Sequence, residues 1–107
     1  MTAQLETRED GLYIDGQKVL KGWESFSGWY WFGIEQAYTQ DSIIKGAVVE
    51  GDQIWFGFVQ GLEEEFGYFS QGELESLGKY KVWRIKAVDL PHAGRRHQRK
   101  YIPEVKS

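Results

Sequence analysis

The sequence predicts an α+β fold: a small antiparallel β-sheet rich in aromatic residues, one short helix packed on it, and a basic C-terminal tail. Aromatic residues make up 16% of the 107 residues and lie in segments with strand-like alternation. Only one segment carries clear helix-start signals. Each buried aromatic side chain removes about 150 to 250 Å² from water, so this content is enough for one core. We therefore predict a single domain over residues 1–91, followed by a tail over residues 92–107.

The N-terminal region predicts one hairpin and one central strand. Residues 1–10 are polar and charged without periodicity, and we expect them to be loose. Residues 12–19 then place Asp15-Gly16 between two short strand-like pieces, and this dipeptide favours a tight turn with positive φ. Residues 28–38 follow as an aromatic strand in which tryptophans alternate with other aromatic residues, so that both faces are apolar. Such a strand lies at the centre of a sheet, or else one of its faces is a binding surface.

A second hairpin is predicted after this strand. Residues 39–42, with the sequence TQDS, have turn composition, and the arms of the hairpin are expected at residues 43–49 and 53–59. The turn between the arms is placed at Glu50-Gly51-Asp52. Residues 62–67 contain three consecutive glutamates and predict an acidic connection to the next element.

A capping box predicts the helix. Ser70 is followed three residues later by Glu73, so the serine hydroxyl can accept from the backbone N–H of Glu73 while the glutamate reaches back to Ser70. Gly78 stands where a left-handed C-terminal cap is expected, which limits the helix to residues 70–77. On this basis Ser70 and Glu73 are structural, and Ser70→Ala is expected to cost about 1 kcal/mol.

The last predicted strand, at residues 79–90, alternates apolar and charged positions and ends at Pro91. Charge then changes sign: residues 1–91 hold 8 Lys and Arg against 15 Asp and Glu, and residues 92–107 hold 5 against 1. A basic segment can contact phosphates, or it can pair with the acidic body. The candidate nucleic-acid contacts are Arg95, Arg96, Arg99 and Lys100.

Residues 54–78, with the sequence IWFGFVQGLEEEFGYFSQGELESLG, resemble a functionally uncharacterised family of small proteins and domains. Members of that family occur on conjugative plasmids and other mobile elements. The similar features are Phe56-Gly57 in an apolar strand, an acidic loop, and the residues GYFS before Glu73-Leu74. Upstream, residues 31–35 are similar to the tryptophan-containing strand that opens the domain of that family, and the resemblance covers about half of the chain. The resemblance implies a cytoplasmic protein of a mobile element or virus-like replicon, and it assigns no catalytic residues.

Composition argues against several classes of chemistry. The chain has no cysteine, which excludes disulfides, thiolate metal sites and cysteine catalysis. Its two histidines, His92 and His97, both lie in the tail, and no glycine-rich phosphate loop occurs. We therefore expect no metal and no cofactor. The N-terminus lacks a basic start with an apolar run, and no apolar stretch is long enough for a membrane span, so a cytoplasmic location is predicted.

The aromatic surplus carries the functional prediction. One helix cannot cover both faces of a sheet, so some tryptophans are expected at an exposed contact surface. The candidate partner-binding residues are Trp23, Trp29, Trp31 and Trp55. We predict a non-enzymatic binding or accessory protein that contacts an unknown protein partner or a second copy of itself. Two alternatives stay open: a single-strand nucleic-acid binder that uses exposed aromatic residues and the tail, and a small hydrolase that uses carboxylates.

Overall fold

The computed structural model describes residues 3–95 and is mostly antiparallel β-sheet with one short helix. Its elements, in chain order, are β1 (Leu5–Arg8), β2 (Gly11–Ile14), β3 (Gln17–Lys18), β4 (Lys21–Ser25), β5 (Tyr30–Ile44), β6 (Ala47–Gln60), β7 (Glu64–Ser70), α1 (Gln71–Glu75), β8 (Val82–Arg84) and a 3₁₀ turn (Leu90–His92). No helix in this part of the chain has the length and apolar character needed to cross a membrane.

The strands form two antiparallel sheets. Strands β1, β2 and β3 make a three-stranded sheet, and the other five are ordered β7-β6-β5-β4-β8. The predicted first hairpin is confirmed, because Asp15 and Gly16 connect β2 to β3 with φ of 51° and 81°. The prediction of a loose N-terminus is wrong from Leu5 onward. Strand β1 pairs with β2 along its whole length, and the Leu5 side chain packs against the core.

The second hairpin turns at Lys45-Gly46 and not at Glu50-Gly51-Asp52. Lys45 and Gly46 have φ of 52° and 78°, which suits the tight turn that matches strand twist. Strand β5 continues through the TQDS segment, and β6 continues through Gly51. A register shift lies here, because Gln40 pairs with Asp52 whereas Ser42 pairs with Val49. The glycine with positive φ therefore belongs to a β-bulge, which has the same local requirement as a turn.

The segment predicted as an acidic connection is largely strand β7, which pairs with β6 from Glu64 to Ser70. The predicted helix start at Ser70 is confirmed, although α1 ends at Glu75. The predicted long strand over residues 79–90 is reduced to β8. The chain then turns, because the backbone N–H groups of Asp89 and Leu90 both bond to the Lys86 carbonyl. This turn carries Leu90 into the core.

Each face of the five-stranded sheet covers its own apolar cluster. One face packs against the three-stranded sheet around Ala3, Leu12, Ile14, Val19, Phe32, Phe58, Ile85 and Leu90. The opposite face carries Trp23, Trp55 and Val82, and Leu74 of α1 packs on them. Phe32 and Trp31 point to opposite faces, as neighbours in a strand must. The aromatic strand predicted from the sequence is β5, and it lies in the middle of the sheet order, as predicted.

Candidate functional site

Two of the predicted partner-binding tryptophans are core residues. Trp23 is fully buried and Trp55 is 3% exposed, and their rings pack edge to face with centroids 6.0 Å apart. Their indole N–H groups donate to side chains of α1: Trp55 Nε1 lies 2.9 Å from Gln71 Oε1, and Trp23 Nε1 lies 3.5 Å from Glu75 Oε2. These tryptophans hold the helix on the sheet. The prediction that they form an exposed contact surface is corrected accordingly.

The other two predicted tryptophans, Trp29 and Trp31, are half-buried. Their ring centroids are 5.8 Å apart. Trp31 packs against the cluster under α1, and the Trp29 ring lies so close to Gly61 that a Cβ there would be 2.4 Å from it. Both therefore have a packing role and only a partial surface.

A larger exposed aromatic surface lies on the other face of the sheet, beyond Phe58. Tyr68 is 64% exposed, Tyr38 48% and Phe66 38%, while Phe56 is half-buried among them. The ring centroids of Phe56 and Tyr68 are 5.3 Å apart, those of Tyr38 and Tyr68 6.2 Å, and those of Phe56 and Phe66 6.2 Å. We call Tyr38, Phe56, Phe66 and Tyr68 the aromatic surface.

Strand register assembles this surface. Phe56 pairs with Tyr68 on β7, and two register shifts in β5 place Tyr38 opposite Ile54, on the face that carries Phe56. Sequence reasoning missed these residues because Phe66 was assigned to the acidic connection and Tyr68 fell between that connection and the predicted helix. Their spacing of two, matching that of Phe56 and Phe58 across a short acidic loop, is the signal that indicates paired strands.

The charge on these strands has one sign. Strands β5, β6 and β7 contain no Lys or Arg, and they hold six carboxylates: Glu35, Asp41, Glu50, Asp52, Glu64 and Glu65. Glu35 is the cross-strand partner of Phe56, so a carboxylate directly adjoins the aromatic surface. Five of the six lie at least partly at the surface, since only Asp52 is buried, and they repel phosphate backbones and attract cations.

Strand β7 also offers an open edge. Within residues 3–95 it pairs with β6 alone and ends the sheet order. An edge strand presents backbone N–H and C=O groups that can pair with another extended segment. The aromatic surface includes Phe66 and Tyr68 of this strand, so the two features adjoin.

A buried carboxylate anchors the start of α1. Asp52 is 3% exposed and accepts hydrogen bonds from Ser42 Oγ at 2.7 Å, from the Gly72 backbone N–H at 2.8 Å, and from the Ser70 hydroxyl. Ser70 Oγ also accepts from the backbone N–H of Glu73 at 3.0 Å. Burial by itself raises the pKa of Asp52, but the hydrogen bonds from Ser70, Ser42 and Gly72 outweigh it and lower the pKa below its usual value.

This network confirms Ser70 as the N-cap. The reciprocal half of the predicted capping box does not form among the described residues, since no hydrogen bond joins the Glu73 carboxylate to the Ser70 N–H. Asp52 contacts the Ser70 side chain instead. A carboxylate from a distant strand thus supports the cap, which no local motif can reveal.

The start of the predicted tail lies on the body of the protein. Gln60 is fully buried and bonds to Arg95 twice, donating from Nε2 to the carbonyl at 2.6 Å and accepting from the backbone N–H at 2.7 Å. The Arg95 guanidinium donates to the Gly61 carbonyl at 2.7 Å. A flexible tail from residue 92 is therefore wrong as far as residue 95. The other candidate nucleic-acid contacts, Arg96, Arg99 and Lys100, lie outside the described residues.

A cleft of about 730 Å³ opens on the surface between the three-stranded sheet and residues 87–92. A second cleft, of about 460 Å³, lies beside β8. In residues 3–95 no group of three or more His, Asp or Glu side chains is arranged to hold a metal ion. Glu24 and Asp89 line the second cleft together, and the hydrolase alternative stays a prediction.

Comparison of the chain with protein-family models, with curated proteins and with solved structures finds no match. The resemblance of residues 54–78 to a mobile-element family therefore stays a prediction.

Proposed function

We propose that this protein is a non-enzymatic binding module whose aromatic surface receives a positively charged, extended segment of a partner protein. The observation that carries the proposal is the exposure of Tyr38, Phe66 and Tyr68 on strands that contain no Lys or Arg. Association with a mobile element or virus-like replicon rests on the resemblance of residues 54–78 alone.

The exposed area of the aromatic surface sets its contribution to the free energy of binding. With exposures of 64%, 48% and 38% and about 200 Å² per side chain, covering Tyr68, Tyr38 and Phe66 removes roughly 300 Å² from water. At about 25 cal/mol per Å² this is about 7 kcal/mol before the cost of association, which is of similar size. Aromatic burial alone therefore gives weak binding. Charge interactions and backbone pairing must supply the remaining free energy of binding.

The carboxylates select the partner. Lys or Arg side chains gain from Glu35 and from cation–π contact with the exposed tyrosines, worth about 0.5 to 2 kcal/mol each. Nucleic acid is less suited to this surface, because its phosphates meet negative charge. The nucleic-acid alternative depends on Arg96, Arg99 and Lys100, outside the described residues.

The open edge of β7 favours an extended partner. A strand added there pairs with the β7 backbone, and its alternate side chains reach Phe66 and Tyr68. Backbone pairing of this kind does not depend on the partner's sequence, whereas contacts with the aromatic and acidic side chains do.

The test uses the full chain and a labelled ten-residue peptide of alternating Lys and Thr, with an alternating Glu and Thr peptide as the charge control. We expect binding of the Lys peptide only, with affinity reduced about tenfold by the double substitution Tyr38→Ser and Tyr68→Ser. Tyr80→Ser is the matched control, because Tyr80 is 86% exposed and lies outside the aromatic surface. Its effect should stay within about twofold, as for a residue outside the interface.

Charge reversal gives an independent arm. Glu35→Lys should abolish peptide binding. Glu9→Lys should not, because Glu9 is an exposed glutamate between β1 and β2 of the three-stranded sheet. Equal loss in both variants would mean that only net charge acts. A dimer that the two tyrosine substitutions dissociate, without peptide binding, would replace this proposal by self-association. Binding of an oligothymidylate lost in the same variants would replace it by the nucleic-acid alternative.

A further inference from the structure

A carboxylate lies between two aromatic residues near the opposite edge of the five-stranded sheet from β7. Glu24 on β4 pairs with Tyr30 on β5 and with Trp83 on β8, so the three residues stand in one row across neighbouring strands. Cross-strand partners have Cβ atoms about 4.5 to 5.5 Å apart, which brings both rings next to the carboxylate. All three side chains line the second cleft.

The cleft has the dimensions of a ligand site. Its volume of about 460 Å³ lies in the range of about 300 to 1,000 Å³ that is usual for small ligands. The segment after β8 forms the opposite wall and contributes Asp89 and His92. Arg84 also borders the cleft, but its guanidinium lies 5.8 Å from the ring centroid of Trp23, a residue of the opposite face. Lys86 is a second exposed cation in the lining.

Two members of this row, Tyr30 and Glu24, are held in place by contacts within the protein. The Tyr30 hydroxyl donates to Glu24 Oε2 at 3.1 Å, and its ring stacks on the buried Phe32 with centroids 5.7 Å apart and planes 7° apart. Burial and the Glu24 charge raise the pKa of Tyr30 and outweigh the Arg95 charge, which lowers it, so the phenol stays a neutral donor. The other carboxylate oxygen of Glu24 has no hydrogen-bond partner among residues 3–95. One oxygen is thus anchored, and the other is available to a ligand.

We propose that this cleft binds an organic cation with an alkylated ammonium group, such as a methylated lysine side chain. Trp83 and Tyr30 supply aromatic surface for the alkyl groups and the charge, and Glu24 supplies the counter-ion. A bare ammonium ion is strongly hydrated and requires several acceptors, so it gains less from two rings. The site is separate from the aromatic surface of β5, β6 and β7 and does not depend on its function.

The experiment titrates the full chain with tetramethylammonium chloride and follows the indole N–H signals by NMR at constant ionic strength. Ammonium chloride and sodium acetate are the comparison ligands. We expect a saturable shift of the Trp83 signal, with tetramethylammonium binding about tenfold tighter than ammonium. Glu24→Gln, which keeps the shape of the side chain, and Trp83→Leu should each weaken binding about five- to tenfold.

Trp29→Leu is the matched control, since Trp29 is half-buried and does not line the cleft. It should leave the affinity unchanged. If Trp83→Leu does not fold, Tyr30→Phe tests the same row, because it keeps the ring and frees Glu24 from its hydrogen bond, and a modest change of affinity is expected. The proposal is overturned by a Trp83 signal that does not shift, by equal binding of ammonium and tetramethylammonium, or by full affinity in Glu24→Gln.

Discussion

The Ser70 hydroxyl makes two hydrogen bonds, and Ser70→Ala removes both of them. The cap hydrogen bond from the Glu73 N–H is worth about 1 kcal/mol, the value expected from the capping box alone. The same hydroxyl donates to the buried Asp52 carboxylate, and a hydrogen bond to a charged group contributes about 1.5 to 3 kcal/mol. Asp52 keeps its donors Ser42 and Gly72, so the lower end of that range applies. We therefore expect Ser70→Ala to lower the free energy of unfolding by about 2 to 3 kcal/mol.

Urea unfolding followed by tryptophan fluorescence measures this loss, because Trp23 and Trp55 are buried next to α1. Ser70→Thr keeps a hydroxyl and should lose only a few tenths of a kcal/mol. A double-mutant cycle with Asp52→Asn isolates the second interaction. A loss of only about 1 kcal/mol in Ser70→Ala, with no coupling to Asp52, would show that the contact to the carboxylate contributes nothing.

Two further predictions concern backbone spacing and pH. Gly57→Ala should prevent cooperative folding, because its Cβ would lie 1.8 Å from the Phe32 carbonyl oxygen, whereas Gly67→Ala on the paired strand meets open space and should cost under about 1 kcal/mol. Thermal unfolding by circular dichroism distinguishes them, and equal melting temperatures would contradict the packing of β5 against β6. The lowered pKa of Asp52 means that its stabilisation is complete above the ordinary carboxyl pKa of about 4 and is lost as pH falls through the lower folded pKa. Urea midpoints between pH 6 and pH 2 should therefore fall less steeply for Asp52→Asn, and parallel curves would refute this assignment.

Several elements were predictable because their requirements are local. The Asp15-Gly16 turn needs two residues that tolerate positive φ, and the helix start needs an oxygen at Ser70. Alternation alone also identified a central strand with two apolar faces. The position of the second hairpin was not predictable in this way, because Gly46 in a turn and Gly51 in a bulge both have positive φ. Only pairing with a distant strand distinguishes these two uses.

Exposure of the aromatic residues was decided by tertiary structure. Sequence alone places the residues of a strand alternately on its two faces, but the helix covers Trp23 and Trp55 and the three-stranded sheet covers Phe32, which leaves Tyr38 and Tyr68 open. The chain by itself determined a sheet rich in aromatic side chains on both faces. Which of them could meet a partner depended on where distant segments pack, since burial is a property of the assembled fold and not of neighbouring residues.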